Sequence, residues 1–199
     1  RILLGDVADM AIDGSGRVLF TVGSPFSPRV LRLEAATNTL TLIAGTTQGY
    51  AGDGAPAVDA KMRSVTGIAL DTAGNLFLAD EQDGRVRRVD AATGIISTVA
   101  GNGTLSSSGD GGPATSAAVQ PWKVAVGPDG SLYIADARAR RVRRVSPAGT
   151  ISTYAGNGAS GNTPVEGAPA TQGSIEPYGV AVDPAGNLFV NVGSPLNVS

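Results

Sequence analysis

Gly67-Ile-Ala-Leu-Asp71, followed after a short turn by Gly74-Asn-Leu-Phe-Leu-Ala-Asp80, decides the fold, because the chain repeats this stretch. The copies stand at Val124-Ala-Val-Gly127 with Gly130-Ser-Leu-Tyr-Ile-Ala-Asp136, at Gly179-Val-Ala-Val-Asp183 with Gly186-Asn-Leu-Phe-Val190 and, more loosely, at Met10-Ala-Ile-Asp13 with Gly16-Arg-Val-Leu-Phe20. The turn glycines at positions 16, 74, 130 and 186 lie 58, 56 and 56 residues apart. A fixed period of this length indicates a repeat architecture.

Each copy predicts four short strands joined by tight turns. In the second copy the strands are expected at about 67–71, 75–80, 85–90 and 95–100, and the joins carry Gly74, Gly84 and Gly94. The strands are rich in Val, Ile, Leu and Thr, and no stretch of ten or more residues shows a strong helical apolar stripe. The chain is therefore predicted to be all-β, with each copy forming one four-stranded antiparallel blade of a β-propeller.

The repeats resemble the long bacterial form of the NHL repeat. The resemblance covers nearly the whole chain and rests on the copies above together with Arg85-Val-Arg-Arg-Val-Asp90, Ile151-Ser-Thr-Tyr-Ala-Gly156 and Gly109-Asp-Gly-Gly-Pro-Ala-Thr115. It implies a ring of about six blades. The chain supplies about three and a half of them, with blades at about 7–45, 65–101 and 121–156, a partial blade at 178–199, and linkers at 46–64, 102–120 and 157–177.

An incomplete ring leaves two exposed sheet edges, which invite pairing with another chain. We expect the chain to be part of a longer propeller. The alternative is a half-ring that a second chain completes, which would make the protein a homo-oligomer through its exposed blade edges.

The composition excludes several function classes. The net charge is −2, with 15 basic and 17 acidic side chains, and this gives no general attraction to nucleic acid or anionic membranes. Histidine and cysteine are absent, so the chain has no disulfide framework and can hold neither a Ser-His-Asp nor a Cys-His constellation. No apolar run reaches the roughly 18 residues of a membrane span.

Some propellers that resemble this repeat are enzymes. Amidating lyases rely on histidine-bound zinc and streptogramin lyases on a catalytic histidine, and this chain has no histidine. A lactonase-type hydrolase, whose divalent ion is held by Glu, Asp and Asn, stays as an alternative. The leading hypothesis is a non-catalytic binding module of a secreted, periplasmic or cell-surface bacterial protein. Self-assembly through the exposed edges is a third hypothesis.

The predicted ligand surface follows from strand direction. Because consecutive strands run antiparallel, the linkers share one face with the loops at 22–28, 81–84 and 137–140, which join second strands to third strands. We call this surface the long-loop face. Loops carry most binding functions, so a protein or carbohydrate ligand is expected there.

Two pairs of residues stand at matching repeat positions near that face. Trp122 and Tyr178 follow Pro121 and Pro177; they either stack on a ligand or, as we favour, pack between neighbouring blades. Asp80 and Asp136 end their second strands. They either face the central opening or, as we favour, form ion pairs with an arginine of the next strand, such as Arg85 or Arg141.

Each linker carries an acidic motif, at Asp53-Gly-Ala-Pro-Ala57, Asp110-Gly-Gly-Pro-Ala114 and Glu166-Gly-Ala-Pro-Ala170. Carboxylates in such a ring could hold calcium. We favour a turn in which the carboxylate accepts nearby N–H groups, the glycine takes a positive φ and the proline sets the exit. No cofactor is therefore expected, with calcium as the alternative.

Arginines crowd one segment, at Arg138, Arg140, Arg141, Arg143 and Arg144. They could form a phosphate or RNA patch. Alternate side chains of a strand point to opposite faces, however, so five charges cannot share one surface. A nucleic-acid partner is therefore not expected, and Arg138 and Arg140, which stand in the loop, are kept as candidate ligand-binding residues.

Overall fold

The computed structural model describes residues 6–23 and 27–193, and the elements below are those of these residues. The strands are β1 (Met10–Ile12), β2 (Val18–Val22), β3 (Arg29–Glu34), β4 (Thr39–Ala44), β5 (Val65–Leu70), β6 (Leu76–Asp80), β7 (Arg85–Val89), β8 (Ile96–Ala100), β9 (Pro121–Val126), β10 (Leu132–Asp136), β11 (Arg141–Val145), β12 (Ile151–Ala155), β13 (Pro177–Val182) and β14 (Leu188–Val192). Single turns of 3₁₀ helix occur at Ala57–Asp59, Glu81–Asp83 and Ala114–Ser116. None of the helices in the described ranges has the length and apolar character of a membrane span.

The strands form four antiparallel sheets in sequence order: β1–β4, β5–β8, β9–β12 and the pair β13–β14. We call these blades 1 to 4. The inner strands β1, β5, β9 and β13 lie side by side in succession. The predicted all-β fold of four-stranded propeller blades is confirmed. The predicted partial blade includes residues 194–199, which lie outside the described residues, as do residues 24–26 of the predicted 22–28 loop.

The core lies between successive blades. Leu78 and Ile96 of blade 2 face Leu19 and Val30 of blade 1, while Phe77 and other blade 2 residues pack against blade 3. A third, smaller cluster joins blades 3 and 4. Strand alternation explains this, because one face of each sheet packs on the preceding blade and the other face on the following blade.

The linkers do not lie wholly on the long-loop face. They start and end there, but the middle parts of the linkers at 46–64 and 102–120 run along the outer edge of the following blade. Gly54 N–H donates to Ile96 O over 2.8 Å, and Gly111 N–H donates to Ile151 O over the same distance. Since Ile96 and Ile151 begin the outer strands β8 and β12, each linker covers an edge that would otherwise be open to pairing.

The linker carboxylates hold these middle parts in place. Asp53 Oδ1 lies 2.6 Å from an Nη atom of Arg87, and Asp110 Oδ1 lies 2.5 Å from an Nη atom of Arg143. The two guanidinium groups are buried, with side chains 0% and 1% exposed. These carboxylates were expected to accept nearby N–H groups, and they form ion pairs with arginines instead. The glycines that follow them, Gly54 and Gly111, have the expected positive φ.

Candidate ligand-binding site

A cleft of about 490 Å³ opens on the long-loop face where blades 2, 3 and 4 meet. It combines two aromatic rings with basic, acidic and amide side chains. Its lining consists of Glu81, Gln120, Trp122, Ala137, Arg138, Arg140, Glu176 and Tyr178. Four of the six candidate ligand-binding residues therefore come together in one place: Trp122, Tyr178, Arg138 and Arg140.

The aromatic pair forms the wall between blades 3 and 4. The ring centroids of Trp122 and Tyr178 are 6.1 Å apart and the ring planes are 87° apart, an edge-to-face arrangement. Both side chains are half-buried. The two interpretations of these residues are therefore compatible, because the rings pack between blades and still present surface to the cleft.

The basic residues of the cleft differ in their partners. Arg140 Nε lies 3.7 Å from Glu176 Oε1, which is a loose ion pair. Arg138 is exposed, and within the described ranges it forms no ion pair or side-chain hydrogen bond. Arg138 thus offers its guanidinium donors to a ligand that carries an anionic or carbonyl oxygen.

Sequence reasoning missed the polar floor of the cleft. The Gln120 side-chain amide donates to Glu81 Oε1, and its backbone N–H donates to Asp136 Oδ1 over 3.2 Å. The repeat itself contains the signal that could have identified two of these residues, because Gln120 and Glu176 stand at one repeat position, just before Pro121 and Pro177.

The burial of Asp80 and Asp136 does not fit a position that faces the opening. Asp136 forms the expected kind of ion pair with an arginine of the next strand, because its Oδ2 lies 3.7 Å from an Nη atom of Arg143 rather than beside Arg141. Asp80 forms no ion pair within the described residues, with Arg85 or with another arginine.

Asp80 accepts backbone N–H groups from Arg63 and Ser64, and Asp136 accepts that of Gln120. Both carboxyl groups are completely buried. They fix the start of the inner strands β5 and β9 and are structural residues.

The arginines expected beside those carboxylates bind linker carbonyls instead. Arg85 donates to Asn102 O over 2.8 Å and lies over the Tyr50 ring, and Arg141 donates to Asn157 O over 3.2 Å. Arg144 pairs with Asp129 at 2.9 Å. The five clustered arginines are therefore dispersed, as strand alternation predicts, and form no single basic patch.

The linker carboxylates do not fit a metal site. The oxygens of Asp110 are occupied by the Arg143 guanidinium and the Thr153 hydroxyl, and those of Asp53 by Arg87 and Tyr50. Glu166 is exposed. In the part of the chain that the structure describes, no group of three or more acidic side chains is arranged to hold a metal ion.

A larger cleft of about 660 Å³ lies on the opposite face, between blades 1 and 2. Its lining consists largely of the tight turns near Gly14, Gly74 and Gly94. The carboxylates Asp71 and Asp90 are occupied there by N–H groups of their own turns. Because its polar groups are satisfied locally, this cleft offers less to a ligand than the cleft on the long-loop face.

The buried carboxyl groups predict an unusual pH dependence of stability. Burial, with the neighbouring Asp83 carboxylate, raises the pKa of Asp80 from 3.8 to about 7, and burial also raises the pKa of Asp83. Between pH 3.8, the ordinary pKa of an Asp carboxyl, and about pH 7, the folded chain keeps a proton that the unfolded chain releases. The free energy of unfolding should therefore decrease as the pH rises through this window, and level off above about pH 7.

Urea unfolding from about pH 5 to about pH 8 measures this effect. Asp83→Asn removes the neighbouring charge, so the decrease should be smaller by about 1 kcal/mol. Asp59→Asn, at an exposed linker carboxylate, is the control and should follow the wild type. Equal pH slopes for the wild type and Asp83→Asn would show that the two carboxyl groups are not coupled.

Sequence comparisons find partial matches to much longer proteins. No family model matches the chain. Mouse teneurin-1 is 35% identical over 103 residues, which are 45% of this chain and 4% of teneurin-1, and mouse teneurin-3 is 34% identical over 106 residues, which are 47% of this chain and 4% of teneurin-3. The chain therefore spans only a small part of these relatives.

Solved structures superpose over most of the chain. A Bacteroides thetaiotaomicron protein of unknown function gives a TM-score of 0.63 at 17% identity, over 92% of this chain and 42% of that one. An auxiliary nutrient binding protein from Bacteroides ovatus gives a TM-score of 0.61 at 17% identity, over 96% of this chain and 57% of that one. A chain of the nidogen–laminin complex gives a TM-score of 0.59 at 20% identity, over 92% of this chain and 55% of that one. At these identities the likeness shows the β-propeller fold alone, and this chain spans about half the length of those chains.

Proposed function

We propose that the chain is part of an NHL-type propeller that binds a protein or carbohydrate ligand, without catalysis, in the cleft on the long-loop face. The observation that carries the proposal is the meeting of the Trp122–Tyr178 pair with Arg138 in one open cleft, where Arg138 has no ion-pair partner among residues 6–23 and 27–193. Aromatic rings supply apolar contact area, and the arginine supplies directional donors. This combination is typical of a recognition surface.

Two further observations support a binding role. The solved structures that resemble the chain include nutrient binding proteins and a chain of the nidogen–laminin complex. The chain also contains no histidine or cysteine, the usual general base and the strongest side-chain nucleophile. A secreted, periplasmic or cell-surface location in a bacterium fits this role and belongs to the same proposal.

The test compares the wild type with the double variant Arg138→Ala/Tyr178→Ala on a glycan array and a peptide array. We expect at least one glycan or peptide to bind the wild type, and the double variant to lose at least about tenfold in affinity, since each contact contributes about 1 kcal/mol. Fluorescence of Trp122, which is the only tryptophan of the chain, then measures the affinity in solution.

The matched control is Arg88→Ala/Tyr154→Ala, which removes the same residue types from strands β7 and β12, outside the cleft. It should bind as the wild type does. If no array member distinguishes the wild type from the cleft variant, the cleft is not a binding site and the proposal fails.

A further inference from the structure

The loop between the second and third strands has the same backbone in blades 2 and 3. In blade 2, Gly84 N–H donates to Glu81 O over 3.2 Å, and in blade 3, Arg140 N–H donates to Ala137 O over 3.1 Å. The last residue of the loop has a φ of +55° in blade 2 and +54° in blade 3. Arg140 therefore stands in a left-handed position that is occupied by glycine in the preceding blade.

This backbone position is strained for an arginine. The left-handed conformation brings Cβ too close to a carbonyl oxygen, and asparagine, as at Asn38, tolerates it better than a longer side chain does. The surrounding backbone leaves no room to relax, because a Cβ at Gly156 would lie 2.4 Å from Arg140 O. Strained residues that their surroundings hold in place occur most often at ligand sites. The presence of arginine where glycine would be unstrained thus indicates a role for its side chain.

The same loop changes the charge of the cleft between the two blades. Two acidic residues of the blade 2 loop are alanine in blade 3, and two uncharged residues are arginine: blade 2 has Glu81-Gln-Asp-Gly84 and blade 3 has Ala137-Arg-Ala-Arg140. Both arginines, Arg138 and Arg140, line the cleft. The blade 3 loop therefore forms a basic side of the cleft.

The charged groups of the cleft differ in how far they are occupied. Arg138 has no ion-pair partner among the described residues, and Arg140 Nε lies 3.7 Å from Glu176 Oε1, which is too long for a hydrogen bond. Glu81 Oε1 accepts the side-chain amide of Gln120. An anionic group in the cleft would therefore gain charge-assisted hydrogen bonds from two guanidinium groups.

The other groups of the cleft restrict the remainder of the ligand. The carboxylates Glu81 and Glu176 only accept hydrogen bonds, so the ligand must offer them uncharged donors. Trp122 is half-buried and offers apolar contact area, and the volume of about 490 Å³ is that of a small-ligand site. A sugar with an acidic group combines an anion, hydroxyl donors and an apolar ring face, whereas an acidic peptide side chain has no such donors beside its charge.

We propose that the cleft binds a carbohydrate with an acidic group, a uronic acid or a sulfated sugar, and that the strained Arg140 binds this group together with Arg138. The inference rests on the binding function proposed above and narrows its ligand class. The anionic group displaces Glu176 from Arg140, and sugar hydroxyl groups donate to Glu176 and Glu81. The sugar ring packs on Trp122.

The probes are oligosaccharides in matched pairs: oligogalacturonate beside its methyl ester, and carrageenan oligosaccharides beside their desulfated forms. At least one acidic member should bind the full 199-residue chain, and its neutral counterpart should bind at least about tenfold more weakly, because it lacks the charge that pairs with the guanidinium groups. Arg140→Gly should weaken binding of the acidic member by a similar factor. The control Arg88→Ala removes an arginine that pairs with Asp90 outside the cleft and should bind as the wild type does.

Thermal unfolding separates a role in binding from a role in folding. Arg140→Gly should raise the melting temperature by about 2–4 °C, because it removes the left-handed strain. Arg138→Gly, in the same loop but at a negative φ, should lower the melting temperature, because glycine loses more backbone entropy on folding. Both variants should nevertheless lose affinity for the acidic oligosaccharide. A gain in stability together with a loss of binding is not expected of a residue with a purely structural role.

The inference is overturned if the cleft binds a neutral glycan or a peptide in preference to every acidic oligosaccharide, or if Arg140→Gly binds with wild-type affinity. In both cases the cleft variant Arg138→Ala/Tyr178→Ala still loses the ligand, so the binding function itself stands. A lower melting temperature of Arg140→Gly also overturns the inference, because the arginine would then stabilise the loop. If no glycan or peptide depends on the cleft, both proposals fail.

Discussion

Arg87→Ala is expected to lower the free energy of unfolding by about 3 kcal/mol, because it removes a buried cation that ties a linker to the third strand of blade 2. The Arg87 guanidinium pairs with Asp53 at 2.6 Å and donates to the carbonyl oxygens of Lys61 and Ala51, both over 3.3 Å. The substitution leaves these oxygens without their donor and a cavity between linker and blade. Urea unfolding at neutral pH measures the loss.

Arg88→Ala is the matched control for this prediction. Arg88 is the next residue of β7, points to the other face, is 33% exposed and pairs with Asp90. An exposed pair of this kind contributes about 0–1 kcal/mol, so this variant should be nearly as stable as the wild type. Equal losses in the two variants would mean that Arg87 acts as an ordinary surface residue and that the linker is held by other contacts.

Gly101→Ala is expected to be at least as damaging, with a loss of about 4 kcal/mol from backbone strain and overpacking together. Gly101 follows β8 at a φ of +90°, where its amide begins the linker by donating to Ala114 O over 2.9 Å. A Cβ there would collide with the carbonyl oxygen of Gly84 and lie 2.8 Å from Cα of Arg85. These are backbone atoms of a neighbouring strand, so they cannot move aside without opening the blade.

Gly94→Ala separates the two causes, because Gly94 also has a positive φ, +69°, but a Cβ there would meet nothing within 4 Å. It should cost about 1–2 kcal/mol, the strain of the left-handed conformation alone. Thermal or urea unfolding of the two variants side by side gives the difference. If Gly101→Ala lowers the free energy of unfolding no more than Gly94→Ala does, the backbone at Gly84 and Arg85 can move away from the end of β8.

The repeat made the fold predictable because it contains three local signals in each copy: strand residues, turn glycines and a constant spacing. These signals act over a few residues, so they can be recognised without knowledge of the neighbours. They led to the four-stranded blades and to equivalent positions for Trp122 and Tyr178 before the inner strands of neighbouring blades. In the structure the two rings are in contact although they are 56 positions apart, because equivalent positions of successive repeats lie on neighbouring blades.

The partners of the charged residues were harder to predict from the sequence, because the environment of a charge depends on the segments that pack on it. Arg143 looked like part of a basic surface segment, yet the linker that carries Asp110 covers it. Asp80 looked like a partner for Arg85, yet the backbone N–H groups of Arg63 and Ser64 reach it first. In both cases the decisive partner comes from a linker whose path the strand pattern does not describe.

The sequence by itself therefore determined the period, the strands, their antiparallel order and the residues at the mouth of each blade. Only the tertiary structure decided which carboxylates are buried, which arginines are neutralised and which residues remain open to a ligand. The physical reason is range: hydrogen bonding within a hairpin depends on residues close in the chain, whereas desolvation of a charge depends on segments 30 or more residues away, such as Asp53 for Arg87.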